Sequence, residues 1–316
     1  MYDITALGEI LIDFTYQGEN GDGQKLFAQN PGGAPANALT AASRLGASCA
    51  VLGKAGDDMH GRFLKETLIK EKIHTGGFLL DPNFFTTLAF VALTPEGERS
   101  FSFARKPGAD TQLSREELSP DVLKHTKIFH VGSLSLTDEP ARGTTMYAVQ
   151  TARENGSLIS YDPNYRASLW RSEEDAKEQM RSLIPYVDIM KISDEETGLL
   201  TDFEEPEQAA DFLCSQGVKL VVVTLGAKGA YVANREGGIV VPGYKSQVVD
   251  TTGAGDSFWG GFLYQICQFG KRPEELSLQE ACEAARFANA VASLCVERRG
   301  AIPAMPFMEE VLKRLG

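Results

Sequence analysis

The densest collection of reactive groups in the chain lies between Asp250 and Phe262, which reads DTTGAGDSFWGGF. Its first seven residues hold two carboxylates (Asp250, Asp256), two hydroxyls (Thr251, Thr252) and two glycines (Gly253, Gly255). The run 246–249 before it is strand-like and apolar. Phe258, Phe262, Ile266 and Phe269 after it recur at helical spacing, so the glycines are predicted to mark a strand-to-helix junction. Glycine there lets successive backbone N–H groups converge on one point, and the helix dipole adds partial positive charge. Such a turn suits a phosphate or an oxyanion forming in a transition state. Asp256 alone would read as a helix-start residue; its neighbours set it apart.

Two familiar phosphate motifs are excluded. No GxxxxGK followed by Ser or Thr occurs, and the G-x-G here continues to Phe258 where a dinucleotide turn needs a third glycine. DTTGAGDSFWGGF instead resembles the C-terminal signature of the ribokinase-like sugar kinases, also called the phosphofructokinase-B carbohydrate kinases. The resemblance implies that Asp256 is the base that takes the proton from a sugar hydroxyl, with Gly253, Ala254 and Gly255 as the anion hole. A second motif supports it. Asn30-Pro-Gly-Gly-Ala-Pro-Ala-Asn37 places paired glycines and an amide at the start of a helix carrying Leu39, Ala42 and Leu45 on one face. GGAPAN, followed by AASRLG and GKAGDDMHG, is similar to the family's sugar-contacting signature, which implies that Gly32, Gly33 and Asn37 meet the sugar.

The elements that must position these residues follow from periodicity. Residues 4–14 read as one strand buried on both sides of a parallel sheet, which puts Asp13 at a strand end where open α/β sheets bind ligands and where it can accept from two sugar hydroxyls. Residues 15–30 are polar and glycine-rich and fit no core helix. A strand at 48–52 and a helix at 59–73 follow, the helix with Met59, Phe63, Leu64 and Leu68 as core positions. Two β-rich runs, 85–93 and 100–103, are joined by a hairpin signal at 94–98. An antiparallel piece in an otherwise alternating chain suggests a small separate sheet, so residues 15–30 and 84–108 are expected to form a lid over the site. The text around Phe103 and Arg105, FSFARKPGAD, is similar to fructokinases of the family, which implies that Phe103 and Arg105 reach the substrate. Ala104 stands where fructokinases often show a bulkier aromatic residue.

From residue 128 strands and helices alternate regularly: strands at 128–131, 158–161 and 189–192, helices at 140–155 and 173–184. Polar residues recur at the strand ends and outline a crevice along one sheet edge. DPNYR resembles the family's DPNxR, which implies Asn164 near the transferred phosphate and Arg166 near substrate or phosphate. The run from Lys191 to Glu196 holds Ser193 where many relatives have Asn, and keeps Glu196. By resemblance Lys191, Ser193 and Glu196 lie on the nucleotide side, with Glu196 ordering water around magnesium. Residues 219–225 form the most apolar strand, and Thr224, Gly226 and Gly229 in the turn after it are placed by resemblance against ATP. A helix at 279–296 is rich in alanine; Asn289 is implied beside adenine. Asp250 and Thr252 resemble the oxygen ligands of the monovalent-cation site that many relatives possess, with potassium (K+) the candidate ion, and Gly300 can add a backbone oxygen.

Composition agrees with a single globular domain. The 316 residues are 43% hydrophobic with a formal charge of −12, which disfavours nucleic acid and anionic membranes as partners. Five cysteines without a CxxC pair fit a reducing cytoplasm, and the scattered histidines show no metal spacing. The expectation is therefore a ribokinase-like α/β fold: a three-layer α/β/α sandwich with a mostly parallel central sheet and a small β-sheet lid, forming one domain over residues 1–316. The expected activity is transfer of the γ-phosphoryl group of ATP, with Mg2+ and a monovalent cation, to a primary hydroxyl of a free sugar, with D-fructose first. Ribose, 2-keto-3-deoxygluconate and a nucleoside are the alternatives within the class, and a non-catalytic sugar sensor the alternative outside it. Free edges of a lid sheet suggest a homodimer paired through the lids.

Overall fold

Residues along 220–223 alternate between two apolar layers: Leu220 and Val222 pack into one buried cluster, Val221 and Val223 into another. A strand with period 2 and apolar residues on both faces demands cover on both sides. The computed structural model, which describes residues 1–93 and 99–316, supplies it. The chain opens with β1 (Tyr2–Leu7), β2 (Leu11–Glu19), β3 (Lys25–Gly32), α1 (Ala34–Arg44), β4 (Cys49–Gly56), α2 (Met59–Lys70) and β5 (His74–Asp81). It continues through β6 (Leu88–Leu93), β7 (Arg99–Ala104), α3 (Pro120–Lys124), β8 (Thr126–Val131), α4 (Ala141–Glu154), β9 (Leu158–Tyr161), α5 (Glu173–Leu183) and β10 (Ile189–Ser193). The last third holds α6 (Thr197–Thr201), α7 (Pro206–Ser215), β11 (Leu220–Thr224), β12 (Gly229–Asn234), β13 (Gly237–Pro242), α8 (Ala254–Phe269), α9 (Leu278–Cys295) and α10 (Met308–Leu315).

Nine strands form the central sheet in the order β13-β12-β11-β10-β9-β8-β1-β4-β5. Neighbours from β11 to β5 run parallel; β12 and β13 are antiparallel additions. One face packs on α1, α2, α8 and α9 through Leu39, Leu64, Trp259 and Ala284; the other packs on α4, α5 and α7 through Val149, Met180 and Leu213. The expected three-layer α/β/α sandwich is present. So is the small sheet, four strands in the order β3-β2-β6-β7.

The structure corrects three expectations. Residues 4–14 are not one strand: β1 stays in the central sheet and β2 enters the small one. The break falls at 8–10, where Pro35 packs so close that a Cβ on Gly8 would stand 2.7 Å from its Cγ. Asp13 therefore belongs to the lid sheet, paired with Asn30 of β3 and Ala89 of β6. Residues 246–249 form no strand. Val248 and Val249 are exposed, and the N–H groups of Val249 and Asp250 both donate to the carbonyl of Val296. Met59 is 72% exposed rather than core, because it is the first residue of α2 and is set by the Asp58 cap, whose Oδ1 accepts from the N–H groups of His60 and Gly61. The polar stretch 15–30 is a hairpin: Asn20 Oδ1 closes its tip by accepting from the N–H groups of Asp22 and Gln24. The hairpin signal at 94–98 lies outside the described residues.

Candidate active site

The α8 N-terminus is built as its sequence requires. Gly253 takes a left-handed conformation, φ 75°, and a Cβ there would stand 2.8 Å from that of Ala301. The N–H groups of the first turn open onto a cavity of about 670 Å³, which Gly253, Ala254, Gly255 and Asp256 line together. No side chain caps this helix; the Ala254 N–H donates to the Thr251 carbonyl at 3.2 Å, and the positive end of the helix dipole faces the cavity.

Asp256 is held from two directions. Asn37 Nδ2 donates to its Oδ2 at 2.7 Å and Asn164 Nδ2 to its Oδ1 at 3.3 Å. Asn164 adopts a left-handed φ of 48°, which asparagine tolerates better than most residues. Burial, with the Asp162 carboxylate beside it, pushes Asp256 above the ordinary aspartate range; Asn37, Lys191 and Arg166 oppose the rise. A carboxyl so poised can accept a proton from a bound hydroxyl. Beneath it lies a buried ion pair, Lys191 Nζ to Asp162 Oδ2 at 2.6 Å. Burial works against charge on Lys191, yet Asp162 and Glu196 outweigh it and raise the ammonium above its usual range. A Cβ on Gly255 would stand 3.5 Å from Lys191 Nζ, so this charge sits directly behind the glycine turn.

On the sugar side, Asp13, Gly33, Asn37, Phe103 and Arg166 line the same cavity. Gly32 is set against Asp13: a Cβ at Gly32 would collide with the Asp13 carboxylate. Arg105 is placed elsewhere. It is buried, with Nε and Nη2 on Asp110 Oδ2, Nη1 donating to Thr137 Oγ1 and Nη2 to the carbonyl of Leu134. Leu134, not Arg105, faces the cavity. The guanidinium is a strut under the floor, since a buried arginine keeps its charge only where carboxylate and carbonyl acceptors surround it.

The nucleotide-side candidates divide. Thr224 ends β11 and Gly226 turns the chain at φ 57°. Gly229 has a fold reason for being glycine, because a Cβ there would run into the Val241 carbonyl of β13. The Asn289 amide donates to the carbonyls of Val241 and Pro242, tying α9 to the same strand. Both Glu196 oxygens accept backbone N–H groups, from Tyr165 at 2.7 Å and Ser193 at 2.8 Å, which locks the DPNYR loop to the end of β10. Asp250 joins two loops: Oδ1 accepts from Thr252 N and Oγ1, and Oδ2 from Gly300 N.

The comparisons with known proteins decide the family. A model of the pfkB family carbohydrate kinases matches residues 1–308. The chain belongs to this family. Fructokinase-1 of Oryza sativa subsp. japonica is 42% identical over 314 residues, covering 98% of this chain and 96% of that protein. A fructokinase with bound ATP from Xylella fastidiosa superposes with a TM-score of 0.92 at 33% identity, covering 100% of this chain and 98% of the other. A double-mutant fructokinase of Vibrio cholerae O395, in its fructose, ADP and potassium ion bound form, gives 0.90 at 31% identity, covering 99% and 98%.

Several cavity residues of this carbohydrate kinase went unread in the sequence: Glu9, Leu11, Asn30, Leu134 and Arg299. Asn30 stands two residues before GGAPAN, and Arg299 sits beside Gly300; both were within reach of spacing arguments. Glu9 had a quieter signal, a carboxylate in an otherwise apolar run. Among the described residues no cluster of His, Cys, Asp or Glu is arranged to hold a metal ion, and no helix is long and apolar enough to cross a membrane.

Proposed function

We propose that this kinase transfers the γ-phosphoryl group of ATP to the 6-hydroxyl of D-fructose, with Asp256 as the base. The observation that carries the reading is Asp256 itself, half-buried at the mouth of the α8 N-terminus and gripped by Asn37 and Asn164. The fructokinase relatives, which match over nearly the whole chain, supply the sugar. Asp13, Gly32, Gly33 and Asn37 fix the hydroxyls. Asp256 takes the proton as the sugar oxygen attacks phosphorus in line, and the N–H groups of Gly253 and Gly255, with the α8 dipole, stabilise the charge on the phosphoryl oxygens. The loose transition state of phosphoryl transfer makes positioning and charge stabilisation the main work. Lys191, one layer behind the turn, adds fixed positive potential.

Magnesium fits as an ion held by ATP phosphates and water, since the described residues offer no carboxylate cage. It supplies neutralisation of β- and γ-phosphate charge. Glu196 acts one step back, by holding the Asn164–Arg166 loop. Potassium fits the Asp250–Thr252 loop and the loop at Gly300, which Asp250 binds together and which present carboxylate, hydroxyl and carbonyl oxygens, the donors a hard cation takes. The lid closes over the sugar and excludes water that would otherwise receive the phosphoryl group. Its outer face holds a ring cluster, Phe14 on Phe90 at 5.4 Å and Phe27 on Phe90 at 6.0 Å, with Leu26 and Phe27 exposed. A second lid covers this face in a homodimer. Five free cysteines suit a reducing cytoplasm.

The test is ADP release across a panel of free sugars, with and without potassium. Fructose is expected to give the highest kcat/KM. A flat response over the panel, or turnover by Asp256→Asn equal to the wild type, overturns the reading.

A further inference from the structure

Glu9 is a buried carboxyl that the reaction described above does not use. It lies in the three-residue connection between β1 of the central sheet and β2 of the lid, is 3% exposed, and lines the cavity. Its Oε1 accepts from the N–H of Ala34, the first residue of α1, at 3.0 Å, while its Oε2 is buried without a partner. The helix it serves needs it: the residue before α1 is Gly33, which has no side chain to cap with, and the first turn holds no acidic residue. Glu9 therefore satisfies an orphan donor of α1 from another element, and its charge faces the positive end of that helix.

The fit is close. A Cβ on Gly33 would run into the Glu9 carbonyl, so connection and helix start are packed without slack. One turn later comes Asn37, whose N–H donates to the Gly33 carbonyl at 2.9 Å and whose amide grips Asp256. The charged groups facing Glu9 are Arg105, which favours its ionised form, and Asp110, which opposes it. Arg105 is paired with Asp110 and donates to Thr137 and the Leu134 carbonyl, so its charge is shared with Asp110 rather than given to Glu9 alone. Asp13, Arg166, Lys191, Asp250, Asp256 and Arg299 line the rest of the cavity.

We propose that Glu9 is a proton-controlled positioning residue: as a carboxylate it draws the first turn of α1 against the β1–β2 connection, setting Asn37 and through it the Asp256 base. Protonation weakens that pull and lets Asn37 drift. Burial, the largest influence, raises the Glu9 carboxyl from the ordinary range to about 7, so the device works near neutrality. Because the folded form holds its proton more tightly than the unfolded chain, stability present at acid pH is lost as pH rises through about 7. Activity runs the opposite way and needs the ionised form. The inference takes the Asp256 reading as given.

The experiment compares the wild type with Glu9→Gln, which keeps an oxygen for the Ala34 N–H but carries no charge and no titration. In the wild type the Ala34 amide and Asn37 side-chain amide signals in NMR shift with a common midpoint near pH 7; in Glu9→Gln the Ala34 signal no longer titrates there. The variant loses between about 10- and 100-fold in kcat at pH 8, the scale of a misplaced catalytic group, while the KM for ATP stays within a few-fold. Its kcat also loses the acid limb attributable to Glu9. Wild-type Tm relative to the variant falls as pH rises from about 5 to about 8, the sign set by the raised carboxyl. An Ala34 amide that ignores pH in the wild type, or identical pH profiles of kcat in the two proteins, overturns the proposal. A wild type that releases no ADP with any sugar sinks the sugar-kinase reading instead, and the two NMR titrations then decide the Glu9 proposal alone.

Discussion

The two sheets border one cavity and are held in different ways. Every residue of β4 is buried, and four of the five in β11 are, with apolar helices on both faces. In β3 of the lid only the last two of eight residues are buried, and Phe27 and Phe90 on the outer face stand partly in water. The central sheet thus brings a preset charge array to the phosphoryl group: Lys191, Asp162 and the α8 turn, fixed before any ligand arrives. The lid brings Asp13 and Phe103 on strands with little packing of their own. On the reading proposed above, chemistry is anchored in the central sheet and selection in the one that gains most from being covered.

Substitutions in each sheet sharpen that contrast. Asp256→Asn is expected to cost about 10²- to 10⁴-fold in kcat, the range for a removed general base, with fructose affinity within a few-fold by calorimetry. Because burial raises the Asp256 carboxyl, wild-type turnover should fall on acidification before an ordinary aspartate would titrate; a kcat independent of pH between 4 and 8 contradicts this. Lys191→Met strands Asp162 in the interior and should lower unfolding stability by about 3–5 kcal/mol, read from denaturant midpoints. A loss as large from any single lid substitution would break the comparison. Gly32→Ala pushes a methyl into the Asp13 carboxylate and should raise the fructose KM by about 10-fold, an overpacking cost of about 1–3 kcal/mol, with little change in KM for ATP. Phe27→Asp is the mildest in activity, within about 3-fold, yet should convert dimer to monomer in sedimentation, since a charge replaces an aromatic anchor.

Much of this was legible in the sequence, for physical reasons. The α8 turn announced itself because two glycines, two threonines and two aspartates within seven residues have no packing explanation. The alternating strands from residue 128 onward were readable because buried parallel strands are almost wholly apolar. Other residues deceived. Arg105 looked like a lid side chain reaching for substrate, but its partners Asp110, Thr137 and Leu134 come together only through tertiary folding. Asn289, which the resemblance sets beside adenine, also fastens β13, a strand hidden by its opening glycines and exposed valine and isoleucine. The run at residues 4–14 looked continuous because hydrophobicity says nothing about which of two sheets a strand joins; the break at 8–10, where Pro35 packs against Gly8, is a tertiary feature.

The grip of Asn37 on Asp256 joins positions 219 residues apart. A ribosome must therefore synthesise the chain through Asp256 before its carboxylate can meet the Asn37 amide. Prematurely terminated chains, whatever partial structure they reach, would on the reading proposed above carry the GGAPAN loop without its base.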